Sequence, residues 1–139
     1  MKEEENISTG EKKYVLITED DALLRMLLVQ KFEQEGFEIL GAVGGKDTIE
    51  KMRERKPDIL LLDLLLPDFN GFELLEFIKG NKDLRDVRVI VISNLTNKED
   101  MDRALELGAE YYFAKADTST TEIVNKTHEI LDAKKWSMF

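Results

Sequence analysis

From Tyr14 onward, short apolar runs of β type alternate with longer segments whose apolar residues recur at helical spacing, five of each. The pattern predicts strands at 14–18, 38–43, 59–62, 87–92 and 110–114, and helices at 21–35, 46–55, 71–81, 97–107 and 120–135. Leu24, Leu27, Leu28 and Phe32 have the spacing of a buried face on the first helix, as do Met101, Ala104 and Leu105 on the fourth. Gly36 and Gly108 stand just past those two helices, where a left-handed residue ends a helix without strain. Thr96 with Glu99, and Ser119 with Glu122, have the spacing of a capping box, in which each residue of the pair binds a free amide at the helix start. The third and fourth strands are apolar almost without alternation, so both faces are covered and the sheet is expected to be parallel. Strict β-α alternation then gives an open sheet with helices on both faces.

In such a sheet, ligands bind beyond the carboxyl ends of the strands, beside the point where strand order reverses. The first strand ends in Glu19-Asp20-Asp21, the third runs into Asp63, the fourth ends at Ser93-Asn94 and the fifth at Lys115. The second ends in Val43-Gly44-Gly45 and is expected to offer no chemistry. With a strand order of 2-1-3-4-5 the four strands carrying polar ends are adjacent, which makes one site. Asp21 is explained equally well as the cap of the first helix. Asp63 is not so easily explained, because a carboxylate between Ile59-Leu60-Leu61-Leu62 and Leu64-Leu65-Leu66 sits where charge is least welcome.

Glu19, Asp20 and Asp63 repel one another at close range unless a cation neutralises them. All the available donors are hard oxygens with no Cys or His beside them, which selects Mg²⁺, Mn²⁺ or Ca²⁺ over zinc or copper. Three carboxylates, one divalent ion and Lys115 sum to zero, so the site can take an anionic phosphoryl group, with Asp63 as nucleophile and the Ser93 hydroxyl as donor to its oxygens. Composition narrows the picture further. The chain has 139 residues, a single-domain length, and a formal charge of −9, which argues against nucleic acid and anionic membranes as partners. It has no cysteine, which removes disulfides and thiol chemistry. Residues 1–12 are mostly charged or polar and read as a flexible tail without a secretory pattern; the domain is expected at 13–135, with a short C-terminal tail at 136–139 and a cytoplasmic location.

Taken together, the Glu-Asp-Asp after the first strand, the Asp63-Leu-Leu-Leu-Pro67-Asp-Phe-Asn-Gly71 segment, Ser93 and Tyr112-Phe-Ala-Lys115 resemble a response-regulator receiver domain of two-component signalling. The resemblance implies a flavodoxin-like receiver fold, α/β with a five-stranded parallel sheet in the order 2-1-3-4-5. It implies Asp63 as phosphoacceptor and Mg²⁺ as cofactor, held by Asp20, Glu19, Asp63 and the backbone carbonyl of Leu65. Ser93 takes the position of the switch hydroxyl, Lys115 that of the invariant lysine and Tyr112 that of the switch aromatic, while Pro67 and Gly71 shape the loop after the acceptor. The implied partners are a sensor histidine kinase or phosphotransfer protein and a downstream protein bound on the face of the fourth helix, fifth strand and fifth helix. Such a chain catalyses only its own phosphorylation and slow dephosphorylation and is not a turnover enzyme.

The chain departs from the family pattern at Asn94, where a small residue is common, and at Ala116, where proline is common. A Lys115–Ala116 bond is expected to be trans, since cis costs alanine about 2.5–4 kcal/mol. Leu65 and Leu95 take the variable places beside the acceptor and cannot orient an attacking water. No linker or output domain follows the fifth helix, which resembles a stand-alone receiver; a domain cut from a longer chain is the other reading. A degenerate receiver that binds partners without phosphate is the alternative function. An aspartyl phosphotransfer hydrolase would want a second acid at position 65, which is Leu, and a flavodoxin-like cofactor binder would want hydroxyls and glycine after the first strand. His128, in the last helix, is expected to face solvent.

Overall fold

The computed structural model describes residues 12–136. Strands β1 (Tyr14–Thr18), β2 (Glu38–Ala42), β3 (Ile59–Leu62), β4 (Arg88–Ser93) and β5 (Tyr111–Ala114) alternate with helices α1 (Ala22–Gln34), α2 (Gly45–Glu54), α3 (Gly71–Gly80), α4 (Lys98–Glu106) and α5 (Thr120–Trp136). All strand pairs are parallel and the order is β2-β1-β3-β4-β5, as the polar strand ends required. The expected tails lie outside the described residues except for their inner ends, and α5 runs through Trp136, one residue beyond the expected domain edge. No helix among the described residues is long and apolar enough to cross a membrane.

The side-chain period of two explains the core, because successive residues of a strand point to opposite faces. Val15, Ile17, Ile59, Leu61, Ile90 and Ile92 pack with Leu28 and Phe32 of α1 and Ile123, Val124 and Ile130 of α5. Their neighbours Leu16, Leu60, Leu62, Val89 and Val91 turn the other way, onto Met52 of α2, Leu74, Leu75 and Ile78 of α3 and Ala104 of α4. Both faces of β3 and β4 are therefore covered, and this is the reason for their unbroken apolar runs.

Local chemistry sets the element ends. Gly36 and Gly108 have φ of 91° and 117°, the left-handed conformation expected of them. The Ser119–Glu122 box is formed reciprocally, with Ser119 N–H donating to Glu122 Oε1 and Glu122 N–H to Ser119 Oγ. The box expected at Thr96 and Glu99 is displaced by one residue: Asn97 is the N-cap of α4, its side-chain oxygen accepting from Asp100 N–H at 2.9 Å. Val43 drops out of β2 because its N–H is taken by the Asp47 carboxylate in the first turn of α2. The largest departure is on α1. Leu27, expected on the buried face, is 45% exposed, with Leu23 and Met26 exposed beside it, and Leu105 on α4, expected to be buried, is likewise 45% exposed. A helix that is apolar all round carries no periodicity to say which side turns inward.

Candidate phosphoacceptor and cation site

Four strand ends converge as the sequence requires. Asp63 follows β3, where the chain leaves the sheet between β1 and β4; its N–H still donates to Thr18 O, so its place is fixed by an extension of the β1–β3 ladder. The carboxylate is buried, with Oδ1 accepting from Leu65 N–H at 3.0 Å and Oδ2 from Lys115 Nζ at 2.7 Å. Lys115 opens a single 3₁₀ turn, Lys115–Asp117, directly after β5. No peptide bond among the described residues is cis, so the Lys115–Ala116 bond is trans as expected and Lys115 still reaches Asp63.

Glu19 is also buried. Its Oε1 lies 2.9 Å from Lys115 Nζ and its Oε2 accepts from Asp21 N–H at 3.0 Å. Burial pushes the Glu19 carboxyl above its ordinary value, against the pull of the Asp21 amide and Lys115, and the neighbouring charge of Asp63 adds to the rise. Burial pulls the Lys115 ammonium the other way, but hydrogen bonds and charges from Asp63 and Glu19 outweigh it and hold the group above its ordinary value. Asp20 is exposed at the mouth, and Glu19, Asp20 and Asp63 each offer a carboxylate oxygen within 4.8 Å of the others. One lysine against three carboxylates leaves a deficit of two positive charges, and an all-oxygen donor set of this kind suits a hard divalent cation such as Mg²⁺. Asp21 has a different job, capping α1 by accepting from Leu24 N–H.

Ser93 is fully buried at the end of β4, and its Oγ accepts from Leu95 N–H at 3.2 Å. The Tyr112 ring is buried, its hydroxyl donating to Leu95 O at 2.6 Å. Burial raises its phenol above the ordinary value, against the hydrogen-bonding pull of the Ser93 hydroxyl. Leu65 is half exposed on the rim, and Leu95 is partly buried. His128 is less free than expected: it is only half exposed, with its ring 4.8 Å from that of Phe37.

Sequence reading missed two contributors. The Arg25 guanidinium donates to Glu19 O at 2.6 Å and lies over Gly41 of β2, where an added Cβ would come within 3.0 Å of its Cδ. The stretch after β2, expected to be silent, leads into α2, whose Gly45 N–H and Lys46 N–H donate to the Asp68 carboxylate at 2.9 and 3.2 Å. Gly71 is confirmed as a shaping residue for a reason the sequence does not show, since a Cβ there would sit 2.3 Å from Leu64 Cα.

Comparison with known proteins agrees with this geometry. The family profile described as "Response regulator receiver domain" matches residues 15–127. The polar-differentiation response regulator DivK of Brucella anthropi is 32% identical over 103 residues, 74% of this chain and 84% of that protein. Among solved structures, a CheY-like response regulator receiver domain protein of Methanospirillum hungatei superposes with a TM-score of 0.82 at 28% identity, covering 91% of this chain and 99% of the other. The signal receiver domain of a LuxO repressor protein of Vibrio parahaemolyticus gives 0.83 at 25% identity, over 91% and 95%. With the family profile spanning the strands and loops that build the acid cluster, this chain belongs to the response regulator receiver domains.

Proposed function

We propose that the chain accepts a phosphoryl group on Asp63 and uses it to alter a partner-binding surface. The observation that carries this reading is the Asp63 carboxylate itself, buried yet held at the carboxyl end of the central strand by Leu65 N–H and Lys115, with Glu19 and Asp20 beside it. A carboxylate oxygen of Asp63 attacks phosphorus, the bond from phosphorus to the donor's imidazole nitrogen or acetyl oxygen breaks, and the leaving group departs with that electron pair. Glu19, Asp20 and Asp63, with the Leu65 carbonyl, would hold Mg²⁺, which supplies charge neutralisation for the transferring group. Lys115 balances the remaining charge, and the Ser93 hydroxyl donates to the new phosphoryl oxygens. Ser93 and Tyr112 form the relay: a phosphoryl group that engages Ser93 favours the inward Tyr112 position, and the change is read on the face of α4, β5 and α5, where Leu105 and Tyr111 are exposed.

The phosphodonor, a histidine kinase or phosphotransfer protein, must cover the mouth of the site. Exposed Leu23, Met26 and Leu27 on α1, and Leu65 beside the acceptor, give it an apolar rim to dock on. The competing reading, a receiver that binds its partner without phosphate, draws support from the inward Tyr112.

Mass spectrometry after treatment with acetyl phosphate and Mg²⁺ separates the two. The expected result is one added phosphoryl group, labile to hydroxylamine and absent from Asp63→Asn. An unmodified wild type would favour the phosphate-independent module, and a persisting adduct in Asp63→Asn would place the acceptor elsewhere.

A further inference from the structure

The loop from Leu64 to Asn70 carries the Leu65 N–H that orients Asp63 Oδ1. Its base is closed on itself: Gly71 N–H donates to Leu64 O, Leu65 bridges Asn70, and Asn70 caps α3 through Phe72 N–H and Glu73 N–H. Its tip is fastened elsewhere. Among the described residues, the hydrogen bonds that leave this loop for another part of the fold are the two that Asp68 accepts from Gly45 N–H and Lys46 N–H in the first turn of α2.

The two sides of this contact fit each other. The N-cap of α2 is Gly44, which has no side chain to satisfy the first amides, so Asp68 supplies from outside what Ser or Asp would supply in place. A Cβ on Gly44 would sit 2.7 Å from Asp68 Oδ1, and one on Gly45 would sit 2.4 Å from Phe69 Cβ. The paired glycines thus keep a berth for the loop tip. The two amides hold the Asp68 carboxyl below its ordinary value, so the tether is ionised at neutral pH.

We propose that Asp68 is a positioning residue for the acceptor: by tying the loop tip to α2 it keeps Leu65 N–H on Asp63 Oδ1, in the orientation that receives the cation and the phosphoryl group. The inference rests on Asp63 being the acceptor. The competing explanation is that Asp68 merely caps α2, and a paired substitution distinguishes them. Asp68→Ala removes both cap and tether. Adding Gly44→Ser restores a cap within α2, in space that Asp68→Ala has vacated, because the atoms nearest that Cβ are all of the Asp68 carboxylate.

Thermal midpoint, Mg²⁺ dissociation constant and hydrogen exchange at the Leu65 amide are measured for wild type, Asp68→Ala and the double variant. Asp68→Ala should lower the midpoint, speed Leu65 exchange in metal-free buffer and weaken Mg²⁺ binding roughly tenfold, the lower end of what loss of an outer-shell partner does to a metal site. The double variant should recover the midpoint and keep both other defects. If capping restores all three, or if Leu65 exchange never changes, the positioning role is overturned and Asp68 is a cap. Should Asp68→Ala fail to fold, Asp68→Asn, which keeps one acceptor oxygen, is read by the same exchange. A wild type that takes neither Mg²⁺ nor phosphate would sink the proposed function, while Leu65 exchange would still decide what Asp68 holds.

Discussion

The two ends of the sheet use the same chemical groups to opposite effect. At the amino ends of the strands, three cations each have an acid of their own: Arg55 pairs with Glu38, Lys56 with Asp86 and Arg88 with Glu110. The first two pairs are open to water, with side chains 52% and 49% exposed for Arg55 and Glu38, and the third is partly so. At the carboxyl ends, Lys115 serves both Glu19 and Asp63, whose side chains are only 3% exposed, and Asp20 adds a third carboxylate. Balanced pairs in water contribute little and ask for nothing more, whereas an unbalanced cluster out of water holds unmet attraction for cations. In the proposed function it is the imbalance, not the number of charges, that serves the site.

That contrast predicts unequal consequences for removing a cation. Lys115→Met leaves two buried carboxylates without their partner and should cost about 3 kcal/mol in metal-free buffer, read from denaturant midpoints. Millimolar Mg²⁺ should return part of the loss. An unchanged midpoint in that variant would mean the cluster is already relaxed and would remove the contrast.

Mg²⁺ itself comes next in size. At a tenfold excess over its dissociation constant it should stabilise the wild type by about 1.4 kcal/mol, through binding to the folded state alone. Asp20→Asn should weaken that response, and melting curves indifferent to Mg²⁺ would argue against a cation site.

The smallest effect is expected at the opposite end, from Lys56→Ala. The hydrogen bond from Lys56 is the main cause holding Asp86 below its ordinary value, so the pair's contribution is present at neutral pH and lost as pH falls through that depressed value. The variant should differ little from wild type in low salt and not at all in high salt or acid. A salt-resistant loss as large as that of Lys115→Met would show that exposure does not separate the two ends.

How far the sequence announced all this depends on whether a signal is local. Asp63 stands out because charge interrupts an apolar run, and the strand ends with Glu19, Ser93 and Lys115 follow from alternation and order. Asp68 and Arg25 escaped because their partners lie 22 or more residues away in one case and on a main-chain oxygen six residues back in the other. Neither spacing marks a motif. The face of α1 is misassigned because Met26, Val29 and Phe32 carry the apolar surface of its leucines around the helix, and the cap of α4 is missed by one residue because Thr96 and Asn97 are both fit to serve.

Under the proposed relay, the buried Tyr112 bears on the range of the response. A ligand moves an equilibrium between two conformers only by its differential affinity for them, and a conformer that is already populated leaves little population to recruit. Under the proposed relay, a ring whose hydroxyl is seated on Leu95 O would give a raised resting level and a compressed gain. Wide gain would require weakening that seat, for which Tyr112→Phe, lacking the hydroxyl, is the smallest available change.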